Sequence, residues 1–180
     1  MKDLIMPSKT TTGPDHLYET ELVDEAASAT SGRLPYDQLL AERACLLKQA
    51  YLPAADKAPN PILFFGQTRQ LLHANEAALR GIIGKDIMDA IGLRLGELFG
   101  CDHKMSSLPG ETYRCQDCNS MPSLRTALEG RQGMEIRQLL MHPTSTTERA
   151  VYRISSVPMS AGERSLAMMM FEKMDDPNAV

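Results

Sequence analysis

Five apolar runs, two ahead of a helical stretch and three behind it, constrain this chain more than any other feature. The first pair is Ile62–Phe65 and Leu71–Ala74, joined by a turn over Gln67–Gln70. The closing three are Met134–Met141, Ala150–Pro158 and Ser165–Lys173. Within Ala150–Pro158, Val151, Arg153 and Ser155 alternate with Tyr152, Ile154 and Ser156, which predicts one face drier than the other. Between the two groups, Glu76–Ile83 reads as a helix with Gly84 as its C-cap, and Asp86–Phe99 as one or two shorter helices. Ser120–Glu129 reads as another helix, with Gly130 after it. The order predicts an α+β domain, a five-stranded antiparallel sheet with helices on one face.

Ahead of the sheet the composition changes twice. Residues 1–33 carry Thr, Ser, Gly, Pro and acids with little periodicity, as in Thr10-Thr11-Thr12-Gly13-Pro14, and are expected to form a mobile tail. Over 34–53, Tyr36, Leu40, Ala44, Leu47 and Tyr51 recur at three- and four-residue steps among Asp37, Glu42, Arg43 and Lys48. Pro35 suits the first turn of a helix and Pro53 its end, with Ala54–Asn60 as a linker beyond. Such a helix buries its stripe either on its own domain or on another copy. Leu40, Ala44 and Leu47 are expected to face the same helix of a second subunit, making the chain a homodimer.

A net charge of −4, with Lys and Arg scattered rather than striped, argues against nucleic acid as a partner. No apolar run approaches the ~20 residues that span a bilayer. The start of the chain, Met1–Met6, is too short and weakly charged for a signal peptide, so a cytoplasmic location is expected. Aromatics make up only 5% of the residues, whereas Met reaches 12, which suits a plain core first and an adaptable pocket or contact face second.

Chemistry concentrates in one window. Cys101, His103, Cys115 and Cys118 read C-x-H-x11-C-x2-C and hold three of the four cysteines. Thiolates with an imidazole are ligands for zinc, and thiolates also hold iron–sulfur clusters. In a reducing compartment a CxxC pair is more often metal-binding or catalytic than a structural disulfide. A CxxC thiol oxidoreductase or a zinc hydrolase is the enzymatic alternative. Catalytic zinc keeps three protein ligands and an open water, however, and three thiolates with His103 close the tetrahedron. Cys45 reads as a separate thiol. Were it to replace His103 in the set, a four-thiolate iron–sulfur cluster would move ahead of zinc. His73 sits in a strand and reads as a satisfied core or edge residue, His142 as a solvated turn residue, and His16 falls in the tail. No Gly-x-Ser-x-Gly elbow, P-loop or Gly-x-Gly-x-x-Gly turn is present, and no enzymatic activity is expected.

The stretch from Pro61 to Leu79 resembles the start of a PAS domain, with its apolar strand, turn, second strand and Asn-x-Ala-Ala helix start at Asn75, Ala77 and Ala78. Gly84 with Lys85–Asp89, and Leu95–Phe99 ahead of the central loop, are similar to later PAS motifs. The resemblance implies a sensory domain over 59–174, with a ligand pocket between sheet and helices and signalling through flanking helices and dimerisation. A narrower similarity is to bacterial PAS sensors whose cysteine-rich insertion runs C-x-H-A, Gly-Cys-Gly, then C-x-x-C. Cys101 with His103 matches the first element and Cys115-Gln116-Asp117-Cys118 the last, placing a metal-binding insertion at 100–119. Pro109-Gly110-Glu111 stands where Gly-Cys-Gly would be. That leaves a Cys3His set and favours zinc, with an iron–sulfur or thiol redox sensor as the alternative. With the chain ending at Val180, too soon for a kinase segment, a stand-alone sensor acting through a signalling protein partner is expected, with residues 34–53 as its output helix.

Overall fold

The computed structural model describes residues 32–99, 122–141 and 148–175. All five apolar runs are strands: β1 (Ile62–Gly66), β2 (Leu71–Ala74), β3 (Gly133–Met141), β4 (Glu148–Ala161) and β5 (Arg164–Lys173). They form one antiparallel sheet in the order β2-β1-β5-β4-β3, so β2 and β3 are its edges. Between β1 and β2, Arg69 takes a left-handed φ of 62° while Gly66 N donates to Gln70 O at 3.0 Å, the geometry of a three-residue hairpin loop. Gly162, at φ 66°, lets β4 turn directly into β5.

The helices in chain order are α1 (Tyr36–Leu47), α2 (Leu52–Asp56), α3 (Glu76–Ala78), α4 (Ile87–Ala90), α5 (Leu95–Leu98) and α6 (Pro122–Leu128). Asn75 caps α3 by accepting from Ala78 N at 3.0 Å. A π-helical turn, Leu79–Ile83, then continues α3, and Gly84 closes it with φ 64° and a 2.8 Å bond from its N–H to Leu79 O.

The period-two alternation of strands divides the apolar residues between two layers. On the inner face Leu63, Phe65, Ile154, Met169 and Phe171 meet Ala78 and Ile82 from α3 and its π-helical turn, Ala90 from α4, Leu98 from α5 and Leu124 and Ala127 from α6. This is the layer in which the resemblance implies a ligand pocket. In β4 the dry face is Tyr152, Ile154 and Ser156, as the alternation predicts. On the outer face Ile62, Phe64, Leu72 and Leu166 meet Leu39, Leu46 and Leu52. The helices between β2 and β3 thus cover one face, and the N-terminal helices cover part of the other. Each large apolar side chain buried in either layer contributes about 1.5–3 kcal/mol.

Three expectations for the N-terminal segment need correction. The helix ends at Leu47, and the first three residues of the expected linker, Ala54–Asp56, belong to a second helix, α2. Pro53 lies in the first turn of α2, where a missing N–H leaves no intrahelical bond unmade. The helix α1 itself carries two apolar stripes, and the expected one is the exposed one. Leu39 and Leu46, two turns apart, are buried on the sheet at 2% and 0% exposure, whereas Tyr36, Leu40, Ala44 and Leu47 face outward, Leu40 at 36%. The richer stripe in sequence is the exposed one, because two leucines suffice to seat so short a helix.

Candidate functional site

Cys101, His103, Cys115 and Cys118 lie outside the described residues, as do His16, His142 and residues 1–31 of the expected tail. Among the described residues no group of three or more His, Cys, Asp or Glu side chains could hold a metal. Cys45 is described. It is a free thiol on α1, half-buried against the outer layer. What the described residues define is how the elements on either side of the insertion are held.

On the leading side stands α5, whose Glu97 precedes Cys101 by four positions. Its Oε2 accepts from Arg94 N at 2.8 Å and from Arg33 Nη2 at 2.7 Å. Arg33 Nη1 donates to Gly92 O at 3.2 Å. The buried Arg94 guanidinium donates to Thr68 O from Nε and to Gly32 O from Nη2, both at 3.2 Å. Buried Gln70 grips the same segment, residues 32–34, that leads into α1. Its Oε1 accepts from Leu34 N at 2.7 Å and from Thr68 Oγ1 at 2.8 Å. Its Nε2 donates to Leu34 O at 3.4 Å. Residues 32–34, which lead into α1, are therefore bound both to the β1–β2 turn and to the helix that leads into the insertion. Charge-assisted bonds of this type offset the cost of burying a guanidinium.

On the trailing side, α6 is seated by Ser123. Ser156 Oγ, fully buried, donates to Ser123 Oγ at 2.9 Å, and Ser123 Oγ donates to Glu135 Oε1 at 2.5 Å. Arg137 Nε reaches the other oxygen of Glu135 at 3.0 Å. Gly133 lets β3 approach this close, since a Cβ there would stand 2.7 Å from Ser123 Cα.

Two further polar clusters join the layers. Asn75, 1% exposed, accepts from Ile62 N at 2.9 Å, and its Nδ2 faces Ala55 O, Ala58 O and Asn60 O at 3.1, 3.3 and 2.9 Å. It ties α2 and the chain behind it to the start of α3. Next to it, His73 Nε2 lies 2.7 Å from Asp56 Oδ1, while His73 Nδ1 has no partner among the described residues. His73 is thus an edge-strand histidine only half satisfied. An open groove of about 390 Å³ runs past Asp56, Lys57, Ala58, Glu76, Ala77 and Arg80, with Arg80 paired to Glu76.

Under α1, Glu42 is pressed against the end of β1. Burial pushes its carboxyl above the usual carboxylate range, with Arg164 drawing it back by less. A buried polar atom left unpaired costs about 1–3 kcal/mol, comparable to what Leu39 or Leu46 each contribute to seating the helix.

Sequence reading missed Arg33, Gln70, Arg94, Glu97, Ser123, Glu135 and the role of Glu42. The Arg94-x-x-Glu97 spacing, with a carboxylate at the N3 position of α5, is the one signal that could have found part of this set.

No protein-family model and no curated protein matches the chain. Among solved structures, the PAS domain of nitrogen regulation protein NR(II) from Vibrio parahaemolyticus is 11% identical over 71% of this chain and 100% of that one, with a TM-score of 0.49. The PAS domain of Bordetella pertussis BvgS is 15% identical over 69% of this chain and 82% of that one, with a TM-score of 0.44. The Rhodobacter sphaeroides LOV protein is 13% identical over 71% and 67% of the two chains, with a TM-score of 0.47. None of these scores reaches one half. It is the strand order β2-β1-β5-β4-β3, with α3 to α6 between β2 and β3 on the inner face, that makes the fold PAS-like.

Proposed function

We propose that this chain is a PAS-type sensory protein whose central insertion binds a metal, zinc by preference, and whose output passes through α1 to a protein partner. The observation that carries the reading is the shared carboxylate of Glu97, which holds Arg33 at the root of α1 while its own helix leads into the insertion. Cys101, His103, Cys115 and Cys118 would hold the ion. Their chemistry fits, since three thiols and an imidazole supply a complete tetrahedral donor set. The ion would supply binding free energy to the folded insertion rather than an open coordination position. Cys45 packs with the outer layer and is left out of the set.

A second copy of the chain would cover the outward stripe of α1. Tyr36, Leu40 and Leu47 are exposed there, and on the uncovered part of the outer face so is Met134, at 71%. A surface that pairs with itself about a two-fold axis needs no other partner.

Metal analysis of the purified full chain, with its visible spectrum, tests the reading. One zinc per chain and a colourless protein are expected. Brown protein containing iron would replace zinc by a cluster, and metal-free protein that stays folded would overturn the metal site.

A further inference from the structure

Three buried side-chain polar atoms lack a hydrogen-bond partner among the described residues, and all three lie in the outer layer. They are Glu42 Oε2 and Arg43 Nε on α1 and His73 Nδ1 on β2. The buried polar groups of the inner layer and its margins, Ser123, Ser156 and Asn75, are partnered. The outer layer is therefore the one whose closure leaves polar groups unmatched, and Glu42 lies in it between α1 and the end of β1.

Glu42 Oε2 sits 2.7 Å from where a Cβ on Gly66 would stand, with Leu72 lining the same spot. On β1 and β2 the residues at that spot, Gly66 and Leu72, are uncharged. From β5 it meets Arg164, and on α1 its neighbour is Arg43. A carboxylate held there has neither water nor a hydrogen-bond donor on that oxygen, whereas a neutral carboxyl loses little by the move.

We propose that α1 docks on the sheet as a proton-dependent latch, seated while the Glu42 carboxyl is neutral and loosened when that carboxyl gives its proton to solvent. The seated carboxyl holds its proton more tightly than the free one, so docking is fully favoured below the ordinary value of 4.5. It weakens as the pH rises through the raised value of the seated group. Arg164 tempers the effect without matching it, being the smaller of the two influences. The consequence for signalling rests on the reading of α1 as the output element, but the latch itself involves neither the insertion nor a metal.

Hydrogen exchange of the full chain, read by mass spectrometry across a pH series and normalised to the chemical exchange rate at each pH, tests this. Residues 36–47 are expected to lose protection as pH rises, while β1 and β5 keep theirs. Glu42→Gln, neutral at every pH, is expected to hold the helix protected throughout. Arg164→Gln is expected to deepen the loss. A pH-independent α1 in the natural chain would overturn the latch, as would an undiminished pH dependence in Glu42→Gln. The series is repeated after chelation. An unchanged α1 profile is expected, whatever the metal content, and a profile abolished by chelation would assign the pH dependence to the insertion and sink the latch.

Discussion

Replacing Asn75 by Ala removes one side chain and unties three elements at once. Its Oδ1 accepts from Ile62 N at 2.9 Å and Ala78 N at 3.0 Å, and its Nδ2 faces three carbonyls between 2.9 and 3.3 Å. The amide has only two hydrogens, so the three carbonyls share them and four bonds is the sound count. At about 1 kcal/mol net for each, with the N-cap of α3 among them, the loss comes to about 3–5 kcal/mol. Domains of this size are stable by about 5–15 kcal/mol, so Asn75→Ala is expected to fold marginally. Equilibrium urea unfolding followed by circular dichroism measures it. A loss under about 1 kcal/mol would refute the reasoning, because two buried N–H groups cannot be orphaned so cheaply.

Asn75→Asp separates the two halves of the role. The carboxylate still accepts from Ile62 N and Ala78 N, but it sets an anion where Nδ2 faced carbonyl oxygens. Near neutral pH this variant is expected to be no more stable than Asn75→Ala. It should recover as the pH falls and the carboxyl takes up a proton, becoming a donor to those carbonyls. If Asn75→Asp matches the natural protein at neutral pH, the donor bonds carry no weight and the knot is only a helix cap.

Leu40→Glu places a charge on the outward stripe of α1 and is expected to dissociate the proposed dimer in sedimentation while leaving the fold intact; a natural chain monomeric at high concentration would remove the basis for it. Gly133→Ala forces β3 and Ser123 apart, an overpacking expected to cost about 1–3 kcal/mol in urea unfolding, and neutrality would mean that α6 is not seated on β3 as described. Cys118→Ser is expected to release metal, lower the thermal midpoint and loosen residues 104–130 in hydrogen exchange before the sheet melts; unchanged metal content would remove Cys118 from the ligand set.

The sheet was legible because its strands are written in two clear dialects. β1 and β2 are short and buried throughout, so they read as continuous apolar runs, while β4 alternates because only one face is dry. Asn75 and Gly84 marked the ends of the α3 region through cap chemistry that does not depend on the rest of the fold. The π-helical turn between them has no comparable signature. The outward stripe of α1, Tyr36, Leu40, Ala44 and Leu47, was legible from its spacing, whereas the docking pair Leu39 and Leu46 was not, because two leucines make no stripe. Least legible was the polar web at the root of α1. Arg33 and Glu97 are 64 residues apart and Leu34 and Gln70 are 36 apart, so no local spacing joins them. The cysteine window, by contrast, is plain in sequence and lies outside the described residues.

That web also limits how strongly an event in the insertion can be felt at α1. Within the described residues one direct route, beside the bond from Arg94 to Gly32 O, runs through Glu97 to Arg33, a bond whose side chains are 15% and 26% exposed. A charge-assisted bond contributes about 1.5–3 kcal/mol, and partial solvation places this one toward the lower end. Breaking it outright could then shift the docking equilibrium of α1 by on the order of tenfold. A larger response would need a second route, and the geometry offers one through the opposite flank: from α6 by way of Ser123 to Ser156 on β4, which pairs with β5 beneath the outer layer. The direct route acts on the root of α1 alone, whereas the route through the sheet acts on the surface where Glu42 and Leu46 rest. A sensor using only the first would pivot its helix about Arg33, and one using both would lift it.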